Sequence, residues 1–404
     1  MPWKKVLPME EKMAFIIKVK ERALSFAAVC REFGVSRRIG YKWWGRYQES
    51  GLEGLEERSH CPHQCPHRSA AVWTDRVVAL RLGHPSWGPK KLRVKLVARY
   101  GAEGVPAVST LGARLKASGL VRSRRVRWRR PERGLGRLTV AERPNQVWGV
   151  DFKGWFRTQD GRRCDPLTVS DLYSRYVVCC QVALDQSYEV ARHWFEKVFK
   201  QYGLPEVIRV DNGGPFASTG GAGLSRLSVW WIRLGIRPEF IRPGHPEENG
   251  VHERMHRTLK AETTQPAAAN SRAQQKRFER WRRKFNEERP HEALGQVVPA
   301  EYYQLSPRAY GGSRTAFVYP PDDVVRRVRS NGEIRWRAGL RYVGQAVIGQ
   351  LVGLRKAQAG RREVWFENYL LGDLHENESG GLRPPVSVRQ TRQVKQKLLP
   401  ISPV

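Results

Sequence analysis

The sequence predicts a multidomain chain: helical modules first, a central α/β layer with a mixed five-stranded sheet, and a small β-barrel near the end. Three observations carry this reading. Amphipathic helical spacing with Ser caps and Gly stops recurs through residues 1–122. From Pro144 the texture turns to short apolar β-type runs interleaved with helices, the pattern of an α/β layer. Beyond residue 320, apolar and basic residues alternate in short runs around tight turns.

Composition narrows the class. At 404 residues the chain is too long for one ordinary core. Lys and Arg number 72 against 39 Asp and Glu, a formal net charge of +33 that runs along the whole length. An imbalance of that size points to a polyanion partner. No apolar run is long enough to span a bilayer and no signal-peptide pattern is present, so nucleic acid is favoured over a membrane surface. The six Cys follow no secreted pattern, and Cys179-Cys180 sit in an apolar run, which suggests buried thiols in a reducing cytoplasm.

Residues 1–57 read as a helix-turn-helix domain. A first helix carries Met13, Phe15, Ile16, Ile17 and Val19; a second runs from Ser25 to its stop at Gly34; Ser36 caps a third, with Ile39 and Trp43 placed for the core. Arg37, Arg38, Tyr41, Lys42 and Arg46 on that third helix suit phosphates and base edges. Residues 58–71 form a linker. Its Cys61, His63, Cys65 and His67 do not follow the usual zinc spacings, and its prolines stiffen it. Residues 72–122 read as a second helix-turn-helix-like domain, with Pro89 at a helix entry followed by Lys90 and Lys91, and Gly119 as the stop of the next helix. Residues 123–143 are a basic linker whose Arg124, Arg125, Arg127 and Arg129, in the acid-free run Val121–Arg130, suit a DNA backbone.

The segment 144–300 holds three strands, at Trp148–Lys153, Asp165–Asp171 and Tyr176–Val182, then a helix from Ser187 to Tyr202. A strand at Glu206–Val210, a helix around Leu227–Leu234, a strand at Arg237–Ile241 and a helix at Asn249–Thr263 complete a mixed sheet with helices. Residues 301–320 connect to runs at 324–328, 332–336, 345–354 and 362–369, with Asn331-Gly332 as a tight turn. Residues 321–384 thus suggest a barrel SH3-like in size and pattern. The tail 385–404 is basic.

Three acids stand out. Asp151 lies between Val150 and Phe152 in an apolar strand, where a charge is costly unless paired or metal-bound. Asp211 ends a strand, and Glu253 sits in a basic helix with Arg257 at i+4 and Lys260 at i+7. Alone, Asp211 is a good turn residue and Glu253 an ordinary helix-surface acid. Together they form a set of hard oxygen donors for two Mg²⁺ ions, with Mn²⁺ as substitute, about 4 Å apart in phosphoryl transfer. Glu247 and Glu248 compete with Glu253 but precede the helix; His256 lies one turn on and is placed to touch DNA or the ligand sphere.

The motifs Trp148-Gly-Val-Asp151, Asp211-Asn-Gly-Gly-Pro-Phe216, the run Pro243 to Lys260, and Phe285 to Leu294 resemble insertion-sequence transposases of the DDE superfamily, with a retroviral-integrase-like core of ribonuclease-H-like fold. The stretch between Asp211 and Glu253 is longer than that family's commonest spacing, and a Gly-rich loop around 218–222 absorbs the excess. The resemblance implies that Asp151, Asp211 and Glu253 bind Mg²⁺, that Arg257 and Lys260 hold the element's end, and that the first helix-turn-helix reads terminal inverted repeats. It further implies DNA cleavage that frees 3′-hydroxyls, their joining to target DNA, a dimer or tetramer on double-stranded DNA, and a prokaryotic, nucleoid-associated location.

Two other functions are open to such a chain. A ribonuclease-type enzyme would share the acids without needing two helix-turn-helix modules and a basic barrel. A non-catalytic DNA-binding protein would have no reason to keep three acids in a surface made for phosphate, where each repels DNA unless a metal screens it.

Overall fold

The computed structural model of the chain describes residues 8–57, 69–121, 138–152, 154–218, 223–243, 245–311, 316–358, 360–378 and 380–384. The chain divides into two compact units, residues 1–69 and 70–404. The clusters expected at Cys61–His67 and Arg124–Arg129 lie outside the described residues.

The first unit is three helices, α1 (Pro8–Glu21), α2 (Phe26–Glu32) and α3 (Arg37–Ser50). Ser25 and Ser36 cap α2 and α3 by accepting the N–H of Ala28 and Ile39. Phe15, Ile16, Val29, Cys30, Val35, Trp43 and Leu55 form the core. Ile17, expected on the apolar face of α1, is exposed: it follows Phe15 and Ile16 directly, and three successive helix positions cannot share one face.

The second unit opens with α4 (Val72–Gly83), α5 (Pro89–Tyr100) and α6 (Val108–Ala117), packed around Trp73, Val77, Trp87, Leu92, Leu96, Leu111 and Leu115. A mixed sheet follows. Strands β1 (Val147–Phe152), β2 (Phe156–Arg157), β3 (Arg163–Asp171) and β4 (Val177–Ala183) precede α7 (Tyr188–Tyr202), β5 (Val207–Val210), α8 (Arg226–Arg233) and β6 (Arg237–Phe240). The order is β2-β3-β1-β5-β6, with β4 also on β3. β1 is antiparallel to β3 and parallel to β5, which is parallel to β6. The five expected strands are all present, and the two-residue β2 adds a sixth.

The sheet is dry on both faces. Trp148, Val150, Phe152, Leu167, Val169 and Cys179 pack against Phe195 and Phe199 of α7 and Leu227 and Trp231 of α8. On the other face lie α9 (Gly250–Thr263) and α10 (Ser271–Arg283), whose Met255, Leu259, Phe278 and Trp281 meet Cys164, Val177 and Cys180. Alternation along each strand sends successive residues to opposite layers, which is why these strands read as near-continuous apolar runs.

After the short α11 (Pro299–Tyr302) come β7 (Val324–Arg327), β8 (Glu333–Trp336), β9 (Gly339–Tyr342), β10 (Leu351–Gln358), β11 (Arg361–Phe366) and β12 (Tyr369–His375). The expected barrel is not closed. β12-β11-β10-β7 form an antiparallel sheet, and β8 and β9 pair only with each other. The tight turn at Gly332, closed by its N–H donating to Arg329 O, leads into the hairpin, and the Val343 and Gly344 N–H groups donate to Gly332 O at the hairpin's open end. Its Ile334 and Trp336 share a core with the sheet, and that core also holds Leu224 and, from α8, Val229 and Ile232. Alternating apolar positions specify which faces pack, but not whether edges meet.

Candidate active site

Asp151 sits on β1, in a strand otherwise buried on both faces, with its side chain 23% exposed. Thr168 lies directly across from it on β3, and Ser170 across from Gly149. Residues paired across a sheet share a face, so Gly149, Asp151, Thr168 and Ser170 all look toward α9. That helix turns His252, Met255, His256, Leu259 and Thr263 inward and leaves Glu253, Arg257 and Lys260 exposed. His256 Nδ1 lies 3.5 Å from Asp151 Oδ2.

Close packing of α9 on β1 depends on Gly149. A Cβ there would meet Leu172 Cδ2 at 2.9 Å and His252 Nδ1 at 3.1 Å. A larger residue there forces the Leu172 or His252 side chain aside.

Asp211 follows β5. The register Val147↔Val207, Trp148↔Ile208, Gly149↔Arg209, carried two residues further, sets Asp211 beside Asp151 at the carboxyl ends of adjacent parallel strands. Asp211 Oδ1 accepts the N–H of Gly213 at 3.0 Å, the local turn that ends the strand. A Cβ on Gly213 would press on that carboxylate at 3.2 Å.

Glu253 occupies the first turn of α9. Its two rivals are engaged elsewhere. Glu248 accepts the Arg242 N–H at 2.8 Å and pairs with its guanidinium, while Glu247 lies 2.7 Å from His245 Nδ1. Among the described residues, no three His, Cys, Asp or Glu sit close enough to hold one metal ion. By strand register Asp151 and Asp211 come at the same end of adjacent strands, and Glu253 stands on the neighbouring helix; the three do not form one metal-holding group. The donors are hard carboxylate oxygens, which suit Mg²⁺. The sulfur nearest in register does not compete: Cys180 lies across from Thr168, and burial holds its thiol well above the ordinary range, so it stays protonated.

The expected DNA contacts fall into three groups. Arg37, Arg38, Tyr41 and Lys42 are exposed on one face of α3, and Arg257 and Lys260 are exposed on α9. Arg46 is half-buried, its guanidinium 5.0 Å from the centre of the Trp43 ring. Lys90 is exposed and pairs with Glu292, which is exposed too. His256 needs correction as a DNA contact: it is 4% exposed beneath α9, turned to the sheet. Lys91 is part-buried near Arg289; burial first, then that charge, lower its pKa to about 8. Lys91 belongs to a seam where Arg289 also donates to Ser86 Oγ at 2.9 Å and pairs with Glu262, and Lys284 donates to Gly83 O at 3.0 Å.

Gly149, Thr168, Ser170 and His252 were missed by sequence reasoning. The signal was there as polar residues at i and i+2 in a fully buried strand, and histidines at i and i+4 on the apolar face of a helix.

Comparison with known proteins bears on these residues. Residues 141–246 and 234–299 match the integrase core domain, segments that together include Asp151, Asp211 and Glu253. The uncharacterized 39.2 kDa protein of insertion element IS476 from Xanthomonas euvesicatoria is 27% identical over 258 residues, covering 62% of this chain and 70% of that protein. This chain carries an integrase core domain. The uncharacterized 31.7 kDa protein of insertion element IS407 from Burkholderia multivorans is 28% identical, over 44% of this chain and 63% of that relative. The Gag-Pol polyprotein of baboon endogenous virus is 32% identical over 32% of the chain and 7% of the polyprotein. In the N-terminal part, residues 11–62 match a helix-turn-helix domain and residues 39–115 a homeodomain-like domain. No helix among the described residues is long and apolar enough to cross a membrane.

Proposed function

We propose that this transposase nicks double-stranded DNA at the ends of an insertion sequence to free 3′-hydroxyls and joins those ends to target DNA, with Asp151, Asp211 and Glu253 as the metal-binding carboxylates. The observation that carries the reading is the register-adjacent pair Asp151 and Asp211 at one end of the sheet, beside a helix exposing Glu253, Arg257 and Lys260. Asp151, Asp211 and Glu253 would hold Mg²⁺, or Mn²⁺ in its place, which would supply activation of the attacking oxygen and charge stabilisation of the leaving oxygen.

The protein's own groups do the rest. Asp151 and Asp211 are fixed by strands, so their oxygens are presented without further ordering. Glu253 approaches from α9 as the third ligand. Arg257 and Lys260, one and two turns along the same helix, grip the phosphates of the element end and so align the scissile bond. Arg37, Arg38, Tyr41 and Lys42 on α3 read or hold the terminal inverted repeat. Two ends must meet for joining, so the working form is a dimer or tetramer on DNA, in the cytoplasm of a prokaryote.

A labelled duplex carrying the neighbouring terminal repeat, incubated with Mg²⁺ or EDTA, tests this. Metal-dependent 3′-end nicking and joining are expected from the wild type and are lost in Glu253→Gln. Binding without chemistry in both Mg²⁺ and Mn²⁺ would overturn the proposal.

A further inference from the structure

The polar atoms under α9 form one connected set. Thr168 Oγ1 lies 3.0 Å from the main-chain O of Asp151, 2.8 Å from His252 Nε2 and 2.6 Å from His256 Nε2. Ser170 Oγ lies 2.9 Å from His252 Nδ1. Thr168 and His252 are 0% exposed, Ser170 3% and His256 4%.

A hydroxyl has one proton and two lone pairs. The Asp151 carbonyl only accepts, so the Thr168 proton goes to it. Both lone pairs then face imidazoles, and each imidazole donates from Nε2. With Nε2 protonated, a neutral His252 accepts the Ser170 hydroxyl at Nδ1. One hydroxyl in the sheet thereby ties the backbone of β1 at Asp151 to two successive turns of α9. Glu253 sits between those turns, one residue after His252 and three before His256. The sheet–helix approach at Gly149 keeps the packing tight.

We infer that Thr168, His252 and His256 are positioning residues: the Thr168 hydroxyl sets the rotation and depth of α9, and so holds Glu253 in register with Asp151. The inference rests on the carboxylate assignment proposed above. A hydrogen-bonded shell behind metal ligands governs affinity through their orientation, and this shell links ligands on two separate elements. Thr168→Val keeps the volume and removes the hydroxyl, depriving two buried N–H groups and a carbonyl of that partner. Thr168→Ser restores it.

The test uses the full chain as wild type, Thr168→Val, Thr168→Ser and Asp151→Asn. Mn²⁺ binding is measured by electron paramagnetic resonance without DNA, alongside end-DNA affinity and Mg²⁺-dependent nicking. Thr168→Val is expected to bind the DNA end as wild type does, to bind Mn²⁺ roughly 10–100-fold more weakly, and to nick correspondingly less. Thr168→Ser is expected to behave as wild type. Thr168→Val indistinguishable from wild type while Asp151→Asn loses Mn²⁺ would overturn the positioning role alone. Asp151→Asn binding Mn²⁺ as wild type does would overturn the carboxylate assignment instead. If Thr168→Val does not fold, ¹⁵N-histidine spectra of the wild type decide. Both buried imidazoles must carry a proton on Nε2, and a neutral Nδ1–H tautomer at either one would contradict the network.

Discussion

Gly149 stands where α9 closes on β1. Gly149→Ala would force Leu172 or His252 aside, an overpacking that costs about 1–3 kcal/mol. The variant is expected to melt several degrees lower and to lose metal-dependent nicking while keeping end binding. An unchanged melting curve and full nicking would mean that the helix yields freely there. At this scale the sequence was half legible. Asp151 announced itself as a charge in an apolar run. Thr168 and Ser170 did not, because a polar residue in a strand ordinarily marks a solvent face, and here that face is covered by the histidines of α9. His256 looked like a DNA contact because a basic helix surrounds it; burial under that helix gives it a different task.

Helix ends and faces were the most legible elements. Ser36 and Ser187 cap α3 and α7 as their positions suggested, and Gly203 and Gly119 end their segments with positive φ. Strands β9 and β12 were not read: β9 has four residues, and β12 is interrupted by Gly372 and Asp373. Helix α5 splits the expectation it carried, since Lys90 is exposed while Lys91 is part-buried near Arg289. Lys91 offers a check on that seam. Its pKa falls from 10.5 to about 8, chiefly by burial. Between those values the unfolded chain binds the proton and the folded chain does not, so stability rises with pH across that window. Below about 8 the penalty of burying the charge is fully present. Lys91→Met is therefore expected to melt above wild type at pH 7, with the gain shrinking as pH climbs past 8. A variant that melts lower at pH 7 would show that the ammonium stabilises the seam.

For the whole molecule, charge and layering were both visible in the order of residues. The +33 balance predicts strongly salt-dependent DNA binding. Arg37→Ala and Arg38→Ala should each weaken end binding and flatten the log–log salt dependence by roughly 0.9 for each phosphate no longer neutralised. Unchanged affinity and slope in both would move the reader away from α3. The mixed sheet and its covering helices followed from apolar runs and capped helices, but closure of the C-terminal strands into a barrel did not follow from alternation alone. Docking of α4–α6 on the core was equally hidden, because the groups that make it, Ser86, Glu262, Lys284 and Arg289, are spread over distant stretches of sequence.

The most direct measurement compares wild type with Asp151→Asn for binding and for Mg²⁺-dependent nicking of one labelled terminal-repeat duplex. Nicking abolished with end affinity nearly intact is the predicted result. Nicking that persists in Asp151→Asn, or a folded variant that no longer binds the end, would contradict the role given to Asp151 and with it the proposed active site.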